Sequence, residues 1–308
     1  MQVYLPIAEL SVNLFFIFGM GGAIGFLSGM FGVGGGFLLT PLLIFSGIPP
    51  AVAVGTQASQ IAASSVSGAM AHWRRRGIDL KLGTVLLVGG VFGALIGIWL
   101  FSLFRALGQI DLVISLSYVT FLGIIGALMM LESVRAIVRA RHGKPPIIRR
   151  PGQHMWVHGL PFKMRFKRSG IYVSAIPVIG IGVVVGLLAA VMGIGGGFVM
   201  VPALIYILRV PTNVVIGTSL FQVVMVTALV TVLHATTNQT VDMILAIILM
   251  AGGVIGAQFG AQAGQKLKGE QLRALLALMV LGVCTRLAIE LVVTPEELFS
   301  LSLGSLHQ

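Results

Sequence analysis

The chain is written in long apolar blocks separated by short polar ones. Apolar runs fall near residues 12–30, 37–47, 51–72, 82–104 and 111–131, and resume near 171–191, 198–208, 213–235, 242–263 and 272–293. About 20 helical residues cross a ~30 Å hydrocarbon layer, so most of these runs are long enough to span a membrane. Two are not. Residues 37–47 and 198–208 are eleven residues each, and at ~1.5 Å per residue they reach about half way. Each follows a glycine-rich break. Helix, break, half-helix predicts a discontinuous or re-entrant hairpin.

The two short runs belong to a stretch written twice. Residues 25–41 read GFLSGMFGVGGGFLLTP and residues 186–202 read GLLAAVMGIGGGFVMVP. The match continues downstream, where Gly55-Thr56 answers Gly217-Thr218, Gln60 answers Gln222, and His72 answers His234. Later, Gly89 to Ala94 (GGVFGA) answers Gly252 to Ala257 (GGVIGA). The offset is 161 residues at the breaks and 163 at this last pair, which marks a duplicated half. Each half holds five apolar runs, an odd number, so the second copy enters the membrane from the opposite side. The expected fold class is an all-α polytopic membrane protein of two inverted-topology repeats. Each has a glycine-broken helix hairpin followed by three transmembrane helices, the pattern of many transporters. The expected divisions are 1–131, a connector at 132–170, and 171–308.

Composition and charge agree with a membrane chain and orient it. The chain is 57% hydrophobic and 9% charged, against about 25% charge in a soluble domain. Its net charge of +11 sits in loops between apolar runs, so it reads as a topology signal and nucleic acid is not an expected partner. The segment 132–170 carries ten Lys and Arg residues against Glu132 and is expected in the cytoplasm by the positive-inside rule. Counting back puts 73–81, with Arg74, Arg75, Arg76 and Lys81, on the same side; counting forward puts the uncharged 236–241 outside. Both termini then lie outside. The N-terminus lacks a basic signal-peptide region, so the first apolar run is expected to stay in the membrane domain. Within the connector, residues 155–166 alternate loosely around Gly159 like a short surface hairpin, with Trp156 as an aromatic anchor. Cys284, the single cysteine, is assigned to packing.

The chemistry concentrates at the breaks. A triple glycine in ordinary helix costs about 1 kcal/mol per residue relative to alanine. Irregular backbone at membrane depth is tolerated where protein buries it or a cavity runs beside it. Gly34, Gly35 and Gly36 are expected to open the first half-helix, and Gly195, Gly196 and Gly197 the second. Each start directs unpaired N–H groups and about half a positive charge at the midplane, a setting for an anion. The next helix of each half opens with polar side chains: Thr56, Gln57 and Gln60 in the first, Thr218, Ser219 and Gln222 in the second. Their amide and hydroxyl donors suit anion oxygens, and interhelical hydrogen bonding is the plainer alternative. Gly89-Gly90 and Gly252-Gly253 are assigned to helix packing. His72 and His234, at helix ends, are read as interfacial anchors, and Arg286 with Glu290 as a structural pair four residues apart. Few titratable residues lie deep, and neither a catalytic nor a metal-ligating constellation appears. The expectation is therefore no enzyme activity and no cofactor.

The paired breaks from Gly32 to Gly36 and Gly193 to Gly197 are closed by Pro41 and Pro202. With the Gly-Thr entries at Gly55 and Gly217 and the tract LPFKMRFKRSGIYVSAIP (160–177), they resemble the TauE/SafE sulfite exporter family over residues 12–293. The resemblance implies export of sulfite or a small organosulfonate across the bacterial inner membrane. It fits a small sulfur anion and membrane lipid as partners, and a homodimer is compatible with it. An anion-selective channel on the same breaks, or a membrane scaffold or sensor acting through the basic connector, are the alternatives.

Overall fold

The computed structural model describes residues 2–31, 35–74, 77–141, 161–166, 168–264 and 269–292. Each apolar run is a helix. In order they are α1 (Leu14–Phe31), α2 (Gly36–Phe45), α3 (Pro50–Arg74), α4 (Leu80–Ala106) and α5 (Ile110–Arg141), then α6 (Ala175–Met192), α7 (Gly197–Tyr206), α8 (Thr212–Leu233), α9 (Met243–Gly264) and α10 (Gly269–Val292). Among the described residues, five stretches, in α4, α5, α6, α8 and α9, are long and apolar enough to cross a membrane. The helices turn large apolar side chains outward, among them Phe92, Trp99, Leu128, Ile247 and Phe259, as lipid requires. α2 and α7 are ten residues each, about 15 Å long, so the expected half-helices form. Gly34 lies outside the described residues.

Glycine faces pair the long helices across the two halves. α1 lies along α9 and α6 along α4. On α1, Gly21, Gly25 and Gly29 recur every fourth residue, so they share one face. A methyl group on them would lie 2.9, 2.2 and 2.1 Å from the carbonyl oxygens of Leu249, Gly253 and Ala257. On α4, Gly89 and Gly93 stand equally close to Ile179 and Val183 of α6, and Gly186 to Gly90. Small residues at this spacing let membrane helices touch backbone to backbone. The assignment of Gly89-Gly90 and Gly252-Gly253 to packing holds.

α3 and α8 pack against each other inside this frame. Gly217, near the start of α8, meets Gly77 and His72 at the end of α3, while Gly55, near the start of α3, meets Thr240 just beyond α8. The two helices therefore run antiparallel. α3 has 25 residues but is not among the apolar spans, because Thr56, Gln57, Gln60, Ser64 and Ser65 are polar. All five are buried, which puts the most polar long helix at the centre.

The structure refines several local readings. The hairpin expected around Gly159 lies, with 142–160, outside the described residues, and the hairpin that is described comes after it. It pairs β3 (Lys163–Phe166) with β4 (Ile171–Ser174). The sixth apolar run therefore begins as strand, and α6 starts only at Ala175, where Ser174 Oγ accepts the Ile176 N–H at 3.2 Å. A matching hairpin, β1 (Gln2–Leu5) with β2 (Leu10–Asn13), precedes α1 and was not expected. There Asn13 Oδ1 accepts the Phe15 N–H at 3.0 Å. Finally, α5 runs on to Arg141, ten residues past the end of its apolar run.

Gly25→Ala and Gly186→Ala should each destabilise the protein by about 1–3 kcal/mol, the usual cost of overpacking. Gly19→Ala, with nothing within 4 Å of the added methyl, should cost nothing. Thermal unfolding in detergent reads both.

Candidate functional site

The breaks are built from glycines in the left-handed region. Gly35 has φ 61°, Gly195 66° and Gly196 74°, a conformation costing other residues roughly 1–2 kcal/mol. Gly35 and Gly196 are the N-cap residues of α2 and α7, and neither end has a side-chain cap. The first N–H groups of each half-helix have no intrahelical acceptor, so both starts remain electropositive and uncapped. They are also neighbours. Phe37 and Phe198, each the second residue of its half-helix, stack with centroids 4.5 Å apart and planes 21° from parallel. Gly36 and Gly195 both rest on the side chain of Ile61 in α3.

Gln60 precedes Ile61. It lies ten residues past Pro50, and Gln222 ten residues past Thr212, which puts each amide about 15 Å along its helix. Both side chains are fully buried. The Gln60 amide lies against Gly253 and the Gln222 amide against Gly90, so each fills the notch where an inter-half glycine crossing leaves room. Neither amide has a hydrogen-bond partner for its nitrogen or its oxygen. Burying such a group unpaired costs about 1–3 kcal/mol. The two amides stand at matching positions in the two halves, and Ile61, next to Gln60, touches both breaks.

Residues 17–287 match the family described as Sulfite exporter TauE/SafE. The chain belongs to the TauE/SafE sulfite exporter family. It is similar to a probable membrane transporter protein of Bacillus subtilis (strain 168), YjnA, at 28% identity over 85% of this chain and 94% of that one. It is similar to another from Xylella fastidiosa (strain 9a5c), at 28% identity over 88% and 93%. A third, from Methanocaldococcus jannaschii, is 26% identical over 86% and 91%. No solved structure matches. These relatives are named as probable membrane transporters, and this chain is a multi-pass membrane transporter of the TauE/SafE type.

Within this TauE/SafE chain the other expected site residues have protein partners. Gln57 donates from Nε2 to the Gly36 carbonyl and accepts at Oε1 from the Thr40 hydroxyl, which ties α2 to α3. Ser219 Oγ donates to the Ile216 carbonyl at 3.0 Å. In α7, Val201 stands where α2 has Thr40, so the Gln57 tie has no equivalent there. Thr56 and Thr218 sit at opposite ends of the α3–α8 pair and hold the other half. Thr56 Oγ1 accepts the Asp242 N–H at 2.9 Å, and Thr218 Oγ1 the Asp79 N–H at 3.0 Å.

These aspartates were missed in the sequence. Asp79 Oδ1 caps α4 through the Leu82 N–H at 3.2 Å, and its Oδ2 takes the N–H and hydroxyl of Ser169 at 3.0 and 2.8 Å. Asp242 Oδ1 caps α9 through Ile244 and Leu245, both at 3.1 Å, and its Oδ2 takes the Ile7 N–H at 3.0 Å. Each end of the bundle thus carries one lock of the same design. It joins a hairpin turn, an aspartate and a Gly-Thr pair, and spans the two halves. The sequence signal was an aspartate immediately before an apolar run, at matching places in both copies.

His234 is corrected as well. It is not an interfacial anchor but is fully buried. Its Nε2 lies 2.9 Å from the Ala190 carbonyl and its ring meets Phe101 edge to face at 4.6 Å. Arg286 lies 4.1 Å above the ring of Phe45, the last residue of α2, where a cation suits the helix dipole. The Glu290 side chain lies outside the described residues. Cys284 packs against α5, its thiol donating to the Val119 carbonyl at 3.4 Å.

Thr56→Val or Thr218→Val leaves a buried aspartate N–H without its acceptor. Each should destabilise the protein by about 1–3 kcal/mol, with the serine variants near wild type. Thermal unfolding in detergent checks this.

Proposed function

We propose that this protein exports sulfite or a small organosulfonate across the bacterial inner membrane by alternating access. The anion is held near the midplane between the starts of α2 and α7. The observation that carries the reading is the pair of fully buried, unpartnered amides of Gln60 and Gln222, taken together with two adjacent uncapped helix starts. Main-chain N–H groups of Gly36 and Gly197 and the two amide NH₂ groups donate to the anion oxygens. The left-handed glycines Gly35, Gly195 and Gly196 bring that backbone close without side chains in the way. Charge is met by helix dipoles and fixed donors instead of cationic side chains. Gln57 acts by fixing α2, and Thr56, Thr218 and Ser219 by fixing the helices around the site.

Alternating access follows from an inverted repeat of residues 1–131 and 171–308. The antiparallel α3–α8 pair and the reciprocal α1–α9 and α4–α6 pairings support it. In this arrangement the Asp79–Ser169–Thr218 lock closes the cytoplasmic end and the Asp242–Ile7–Thr56 lock the periplasmic end. Both are engaged here, with the central amides sealed, which describes an occluded state. Opening one lock at a time exposes the site to one side at a time. The connector 132–170 faces the cytoplasm and both termini the periplasm. With the cytoplasm negative, an outgoing anion gains about 2.3 kcal/mol per charge per 100 mV, so export needs no coupled ion.

Flux into proteoliposomes tests this, with sulfite, sulfoacetate and acetate compared under an imposed potential. The sulfur anions should move faster than acetate and respond to the sign of the potential. Gln60→Leu and Gln222→Leu should each lower flux at least tenfold while unfolding at the same or higher temperature, because each removes an unpaired buried group worth about 1–3 kcal/mol. Unchanged flux, or a loss of stability in both variants, would contradict the assignment.

A further inference from the structure

We propose that two adjoining basic cavities at the β3–β4 end of the bundle bind the two phosphates of an anionic diphosphate lipid. The first, of about 340 Å³, is lined by Trp73, Arg74, Ile78, Leu80 and Arg168. The second, of about 280 Å³, is lined by Asp79, Leu80, Lys81, Arg165 and Arg168. They share Leu80 and Arg168, so one guanidinium reaches both. Among the described residues, four cations line this space against one carboxylate. That carboxylate is committed, since both Asp79 oxygens accept hydrogen bonds from Leu82 and Ser169. Arg168 spends Nη1 on the Ile78 carbonyl at 2.7 Å, and Lys81 reaches the Arg165 carbonyl at 3.4 Å. A guanidinium has five N–H donors and an ammonium three, and guanidinium forks match phosphate oxygens.

The rim argues for a lipid over a free anion. Trp73 is 55% exposed and Leu80 43%, and Phe162 and Tyr172 of the adjoining hairpin are exposed too. Trp and Tyr favour the headgroup level of a bilayer. A soluble oxyanion gains nothing from such a rim, whereas acyl chains continue from the headgroup onto the apolar helix faces. Basic pockets beside membrane helices take the heads of anionic lipids. Two cavities joined by a shared arginine match two phosphates on one headgroup better than one. This assignment stands apart from the anion reading of the midplane.

Lipid retention by the full chain in detergent, read by native mass spectrometry, tests it with diphosphatidylglycerol, phosphatidylglycerol and phosphatidylcholine. Diphosphatidylglycerol should be retained most strongly, phosphatidylglycerol less and phosphatidylcholine least. Arg74→Gln and Lys81→Gln should each weaken diphosphatidylglycerol binding about fivefold, the equivalent of ~1 kcal/mol per cation near the surface. Arg168→Gln should weaken it further, and Arg135→Gln, exposed on α5, should leave it unchanged. Equal retention of phosphatidylcholine and the anionic lipids overturns the proposal. So does ready displacement of the lipid by excess inorganic phosphate or sulfite, which would make this a free-oxyanion site. Equal retention of the two anionic lipids overturns the two-phosphate assignment.

Discussion

A backbone that stops hydrogen-bonding to itself at membrane depth must be enclosed by protein. The two glycine breaks impose that constraint, and much of the surrounding architecture answers it. α1 and α6 end in the breaks, and α2 and α7 restart after them as helices too short to cross. The glycine faces of α1 against α9 and α4 against α6 bring the long helices close enough to wall off this irregular backbone. α3 and α8 fill the remaining space with the polar side chains the breaks need.

The same close packing places the glutamines. Gly253 and Gly90 leave notches at the inter-half crossings, and the amides of Gln60 and Gln222 occupy them. A leucine of similar size would fill either notch without the cost of an unpaired amide. On the proposed function, that cost is kept in both halves for an anion that comes and goes. Gln57, one turn earlier on α3, shows the contrast: its amide is spent on Gly36 and Thr40, so it serves the fold. The end locks at Asp79 and Asp242 complete the frame, because each pins a hairpin of one half, or its Gly-Thr helix entry, to a capped helix of the other.

Much of this was legible in the chain. Two eleven-residue apolar runs behind glycine triplets could be neither spanning helices nor loops, so the half-helices followed from length alone. Gly89-Gly90 and Gly252-Gly253 read as packing because small residues have no other use in an apolar span. The hairpin before α1 was hidden because a four-residue strand such as Gln2–Leu5 is too short for its alternation to stand out from the apolar run that follows. The aspartates were visible as helix caps, but their cross-half partners depend on tertiary placement. The repeat did set Gln60, which answers Gln222, apart from Gln57, which answers Ser219, but that Gln57 ties α2 to α3 depends on tertiary placement. His234 looked interfacial because it ends an apolar run, and only the packing of α6 and α4 over it makes it interior.

Locating a heavy-atom analogue of the proposed substrate is the most direct test. Selenite has the shape and charge of sulfite, and its selenium is an anomalous scatterer, so one crystal soaked with it reports a position. The account predicts a single strong peak within hydrogen-bonding distance of the Gln60 and Gln222 amides and the main-chain N–H groups of Gly36 and Gly197. Selenium found only at the basic β3–β4 end or on the lipid-facing surface, with the space between the two breaks unoccupied at saturation, would contradict it.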